Sequence, residues 1–220
     1  MIRTWIETLL TLPDSVWDAY AFAREPLAGR ITPTMRLEFA EKSRLCGLNY
    51  ANAVNFIPDE GELAELVRSK GVKVEYQNSK SGGAYSFFAK FTVPDEISIY
   101  SASAMATDTL IESEGLHDLI GDVKTADVLL AHEFFHFFEF SDPDSYTLKK
   151  HLLLWKLGPF KNESTIGALE EIGAMAFAQK LLKLPYSPYI FDVLMLYPAN
   201  QQRAKAVYDA IIAISESIHS

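Results

Sequence analysis

Cys46 is the only cysteine in the 220 residues of this chain. A disulfide within the chain is therefore excluded, as is a metal site built on several thiolates, and a reducing, cytoplasmic setting is expected. Basic residues are also in short supply, with 20 Lys and Arg against 29 Asp and Glu and a net charge of −9. That balance argues against a nucleic-acid partner held by phosphate neutralisation. No run approaches the roughly 18 uninterrupted apolar residues of a membrane-spanning helix, so no membrane partner is expected. Residues 1–12 hold Arg3, Glu7 and a short apolar run, and lack the sustained apolar core and small-residue cleavage site of a signal peptide. Internal repeats are absent too. What remains is an ordinary globular composition, 49% hydrophobic and 22% charged, long enough to bury its own core.

The periodicity changes twice along the chain. Residues 2–11 and 15–24 read as short amphipathic helices separated by Leu12-Pro13-Asp14, a third helix spans 34–47, and Pro58-Asp59-Glu60 opens a fourth that ends near Gly71. Alternation then takes over in Val72–Tyr76, in Ala84–Thr92 after a Ser- and Gly-rich turn at 78–83, and in Ile97–Tyr100. From about Lys124 the pattern is helical again, over 124–140, 145–156, 164–183, 187–196 and 200–217, with a break at Gly158-Pro159. Helices, then three strands, then helices predict an α+β fold whose small sheet is mainly antiparallel.

One stretch carries chemistry. His132-Glu133-Phe134-Phe135-His136 contains His-Glu-x-x-His, in which two imidazoles four residues apart share one helix face and reach one ion. Glu133 projects a quarter-turn away, where it touches a metal-bound water as general base without ligating the metal. The helix around the motif is apolar nearly all round and should be buried. Burying two imidazoles and a carboxylate without partners costs several kcal/mol, which a shared metal relieves. A catalytic zinc needs a third protein ligand and one open position. The candidates are Glu170 and Glu171, at the start of a helix otherwise rich in small and apolar residues, where Gly173, Ala174 and Ala178 permit close approach to the histidine helix. Periodicity alone does not choose between the two. Asp142 is a further candidate, but Glu139 stands where a glycine would be needed to turn the chain back toward the metal.

These residues resemble a known family. His132-Glu133-x-x-His136, followed 35 residues later by Glu171, Ala174, Phe177 and Ala178 and then Leu181, Leu182 and Pro185, is similar to the gluzincin metallopeptidases, most closely to the small cytoplasmic ImmA/IrrE type. The resemblance covers about 60–185. It implies a zincin-like fold with three strands before the metal helix, and makes His132, His136 and Glu171 the zinc ligands and Glu133 the catalytic base. The implied activity is that of an intracellular regulatory endopeptidase acting on a protein or peptide, such as a transcriptional repressor. Met175 stands where the family has Asn, and Phe134-Phe135 where it has smaller residues, so a metal-bearing interaction module without activity is the alternative. On this reading 58–220 form the peptidase domain and 1–57 a helical extension, or the two are continuous.

Other residues receive plainer readings. His151, Tyr146 and Tyr186 are possible oxyanion donors, each more simply a surface or packing residue. Glu139 reads as an exposed helix position, with orientation of a histidine as the alternative. His117 and His219 read as surface residues, Phe87-Phe88 and the aromatics of 186–197 as core or cleft lining, and Cys46 as a small buried hydrophobe. A peptide substrate is expected to add to a sheet edge, placed at Glu96–Ser103.

Overall fold

The computed structural model describes residues 1–54, 56–58, 62–78 and 88–219. The expected helix start at Asp59-Glu60, most of the turn at 78–83, residues 84–87 of the second expected strand and the side chain of His219 lie outside the described residues. The chain runs α1 (Ile2–Leu9), α2 (Asp14–Ala23), a 3-10 turn, α3 (Pro33–Val54), α4 (Leu63–Ser69), β1 (Lys73–Gln77), β2 (Ala89–Thr92) and β3 (Glu96–Tyr100). It continues through α5 (Ser101–Ser113), α6 (His117–Ile120), α7 (Thr125–Ser141), α8 (Tyr146–Lys149), β4 (Leu152–Leu157), β5 (Phe160–Ser164), α9 (Gly167–Leu181), α10 (Ile190–Leu196) and α11 (Gln201–His219). The α+β expectation holds at this level: a mainly helical chain carries one three-stranded and one two-stranded sheet.

The larger sheet differs from the expected one. Its order is β1-β3-β2, with β1 parallel and β2 antiparallel to β3, so it is mixed. Consecutive strands are not all neighbours here, because β3 inserts between the two that precede it. Burial explains the choice: Ile97, Ser98 and Ile99 are buried in succession, as a central strand requires, whereas β1 and β2 are largely half-buried or exposed. Glu96–Tyr100 therefore has neighbours on both sides and 101–103 begin a helix, so the edge proposed for a peptide is not an edge.

Two further differences follow the chain. The stretch 101–123, where the pattern predicts no element, holds α5 and α6. The helix expected over 145–156 shrinks to α8, and the β4–β5 hairpin follows, turning at Gly158 with φ +57°. Leu152-Leu153-Leu154-Trp155 is a continuous apolar run, and such a run does not distinguish a strand from a helix.

α7 packs against the sheet on one side and α9 on another, and α3 runs along α9. Their separation is set by glycine. An ideal Cβ on Gly47 of α3 would stand 2.1 Å from the carbonyl oxygen of Gly173, and one on Gly173 would stand 2.6 Å from Cζ of Phe135 on α7. The close approach expected of α9 toward α7 is thus present, and it extends to α3. The segment 1–57 shares this core: one buried apolar cluster runs from Ile2 and Trp17 through Phe135 and Phe177 to Ile211.

Candidate metal centre

α7 presents His132, Glu133 and His136 from a helix whose Leu130, Ala131, Phe134 and Phe135 are fully buried. Apolar contacts on the remaining faces leave the histidine face turned toward a cleft of about 440 Å³. Lining this cleft are Ala89, Lys90 and Phe91 from β2 and its start, His132, Glu133, His136 and Glu139 from α7, Leu148 from α8, and Glu170 and Glu171 from α9. One ligand atom from each of His132, His136 and Glu171 lies within 4.8 Å of the other two, close enough for one metal ion. His132 Nε2 is 3.8 Å from Glu171 Oε2, and the two imidazole centroids are 5.2 Å apart.

Glu170 belongs to a different grouping. It lies within the same distance limit of His136 and Glu139, not of His132. α9 thus places its two carboxylates in two different groupings, both of which include His136. Burial lifts the Glu170 carboxyl to about 7, with the neighbouring Glu139 charge adding to the rise.

The two histidines share a helix face and titrate in opposite directions. Burial drives His132 down to about 4. Burial also lowers His136, but its hydrogen bond to Glu139 and the charges of Glu133, Glu139 and Glu171 outweigh that and lift it to about 9. The decisive contact is His136 Nδ1 to Glu139 Oε2 at 3.1 Å. Glu139 was expected on the exposed face; it is 3% exposed. The signal was present in its spacing, since 132, 136 and 139 fall on one helical stripe.

Glu133 has a partner that sequence reasoning missed. The backbone N–H of Phe91 donates to Glu133 Oε2 at 2.7 Å. A main-chain donor leaves no trace in residue identity, so only the fold reveals it. The pairs Phe88–Tyr100 and Phe91–Ile97 alternate along the ladder, which turns the N–H of Phe91 away from β3 and toward α7.

The remaining candidates fall elsewhere. Asp142 follows the last residue of α7 and accepts hydrogen bonds from Tyr50 Oη at 2.7 Å and from Asp144 N–H at 2.8 Å, apart from both ligand groups. Tyr186 Oη donates to the Ile120 carbonyl at 2.7 Å. Tyr146 lines a separate cavity with Cys46 and Tyr50, and His151 is exposed; neither lines the cleft. His117 is a surface residue beside Glu112 and Asp122, as expected. Cys46 is half-buried, with its sulfur 3.7 Å from Ser145 Oγ. Among the described residues no helix is long and apolar enough to cross a membrane.

No family model matches this chain, and neither a curated protein nor a solved structure is matched by it.

Proposed function

We propose that this chain is a zinc-dependent metallopeptidase with a zincin-like fold, in which His132, His136 and Glu171 hold the metal and Glu133 is the general base. The observation that carries the reading is the grouping of those three ligand atoms within 4.8 Å at an open cleft. Two imidazoles and one carboxylate, with a solvent-facing side, are the donor set and coordination that a hydrolytic zinc takes. When bound, zinc would polarise the scissile carbonyl and acidify the attacking water.

The chain's own residues do the rest. Glu133 takes the proton of the water as its oxygen bonds to the carbonyl carbon, then delivers it to the amine nitrogen as the C–N bond breaks. The Phe91 N–H fixes this carboxylate through Oε2 and leaves Oε1 for the water. An extended peptide has one accessible edge beside the cleft, that of β2, whose only strand partner among the described residues is β3. A cytoplasmic regulatory endopeptidase acting on a protein substrate remains the reading that the sequence resemblance suggests.

A second reading is a metal-bearing interaction module. The observation that favours it is Met175 on α9, one turn after Glu171, which offers no side-chain amide there.

Stoichiometric zinc in the purified protein, lost in His132→Ala, is the first expected result. Glu133→Gln is expected to keep its zinc and lose roughly 10²–10⁴-fold in cleavage of an extended fluorogenic peptide library. Equal cleavage by Glu133→Gln and the wild type would overturn the assignment of the base. Zinc binding with no cleavage by wild-type protein would favour the interaction module.

A further inference from the structure

A carboxylate inside an apolar helix needs a reason. Glu139 is surrounded in sequence by Phe137, Phe138 and Phe140, and it is 3% exposed. One oxygen meets His136 Nδ1 at 3.1 Å, while the other, Oε1, is buried with no hydrogen-bond partner among the described residues. Leaving such an atom unpaired costs about 1–3 kcal/mol, so the residue is poorly explained as a contribution to stability. An apolar side chain would serve the core better.

The geometry gives it another role. His136 and Glu139 are three residues apart on one helix, so the backbone itself holds the two side chains as neighbours. With Nδ1 committed to the carboxylate, the proton of the neutral ring belongs on Nδ1 and Nε2 carries the free lone pair. His132 meets Glu171 through Nε2, so presenting Nε2 of His136 would put the same nitrogen of both rings at the metal. Glu139 occupies Nδ1 of the ring and leaves Nε2 as the nitrogen available to a metal.

Resting on the metallopeptidase reading, we infer that Glu139 is the positioning residue of the metal centre: through Nδ1 it fixes the tautomer and the ring orientation of His136, so that Nε2 is presented to the metal. Hydrogen-bond partners of this kind raise ligand basicity, and their removal lowers metal affinity 10–100-fold.

Zinc affinity, measured by competition with a chromophoric chelator, separates the outcomes. Glu139→Leu is expected to bind zinc 10–100-fold more weakly than wild type and to shift the d–d absorption of the cobalt-substituted protein. Glu139→Gln keeps an acceptor for Nδ1–H and is expected to restore most of the affinity and the wild-type cobalt spectrum. ¹⁵N-detected spectra of the zinc-loaded wild type should show a proton on His136 Nδ1 and a metal-shifted Nε2; this measurement decides the matter even where the Leu variant fails to fold. Wild-type affinity and spectrum in Glu139→Leu, or metal on Nδ1, overturns the inference while leaving the zinc centre intact. A wild-type protein that binds no zinc sinks the centre and this inference together.

Discussion

The helices that meet at the candidate centre and the hairpin that joins them in sequence treat apolar residues in opposite ways. In the α7–α9 seam Phe134, Phe135 and Phe177 are fully buried, with Phe177 5.9 Å and 6.1 Å from the other two ring centroids. In the β4–β5 hairpin Trp155, Leu157 and Phe160 are 52%, 74% and 69% exposed on one face, with Lys156, Lys161 and Glu163 on the other. Both regions carry large apolar side chains, so residue type does not set burial by itself. The seam is buried because α3, α7 and α9 offer small residues where their neighbours offer large ones. A two-stranded hairpin satisfies its backbone by pairing and has no second layer of its own to cover it.

The largest expected effect tests the seam at its tightest point. A Cβ on Gly47 would lie 2.1 Å from a backbone oxygen, so α3 and α9 must separate to admit it. Gly47→Ala is expected to cost about 3 kcal/mol or more, at the upper end of overpacking penalties, in denaturant melts. Gly173→Ala meets the tip of the Phe135 ring instead and should cost less, about 1–3 kcal/mol. Shortening the ring in Phe135→Leu should recover part of that loss, a coupling that a double-mutant cycle reads directly. A Gly47→Ala protein with wild-type stability would remove glycine as the basis of the contrast.

The seam was also the more legible region. Its helices repeat at 3.6 residues, and Gly173, Ala174 and Ala178 announced a close contact, although their sequence did not say that Gly47 completes it from α3. The hairpin was misread because four successive apolar residues fit a helix as well as a strand, and what decides is pairing with Phe160–Ser164, a non-local event. Within the candidate site, residue types pointed to His132, Glu133, His136 and the Glu170–Glu171 pair, while the division of that pair between two groupings is tertiary. Glu139 was misjudged because a single carboxylate on an apolar helix is usually placed toward water. Where the resemblance expects Asn, Met175 offers no amide; the hydrogen bond to a histidine comes from α7 itself. Phe91 enters through its backbone and was invisible.

A smaller effect sharpens what the polar face of the seam does. In the metal-free protein His132 is neutral above about 4, whereas His136 carries its proton up to about 9. A metal requires both rings neutral, so loading near pH 7 should release about one proton, from His136. Affinity should accordingly rise about tenfold per pH unit from about 7 toward 9 and level off above that, the sign expected when the free site holds the proton. Zinc titrations by calorimetry, run in two buffers of different ionisation enthalpy, count the proton. A count of zero would mean that His136 is already neutral and that Glu139 does not hold it charged.

The smallest expected effect belongs to the hairpin, and its smallness is the point. Leu157→Ser and Phe160→Ser remove apolar side chains that are 74% and 69% exposed, at the turn farthest along β4 and β5 from the helices that flank them. Neither residue lines the cleft, so zinc affinity should not change. Each substitution should alter stability by no more than about 0.5 kcal/mol, as surface changes do. A loss of 1 kcal/mol or more would mean that these side chains are covered in solution. A melting temperature that then rises with protein concentration would identify the cover as a second copy of the chain, because only association makes stability depend on concentration. The hairpin would in that case follow the same rule as the seam, with its complementary surface supplied from outside the chain.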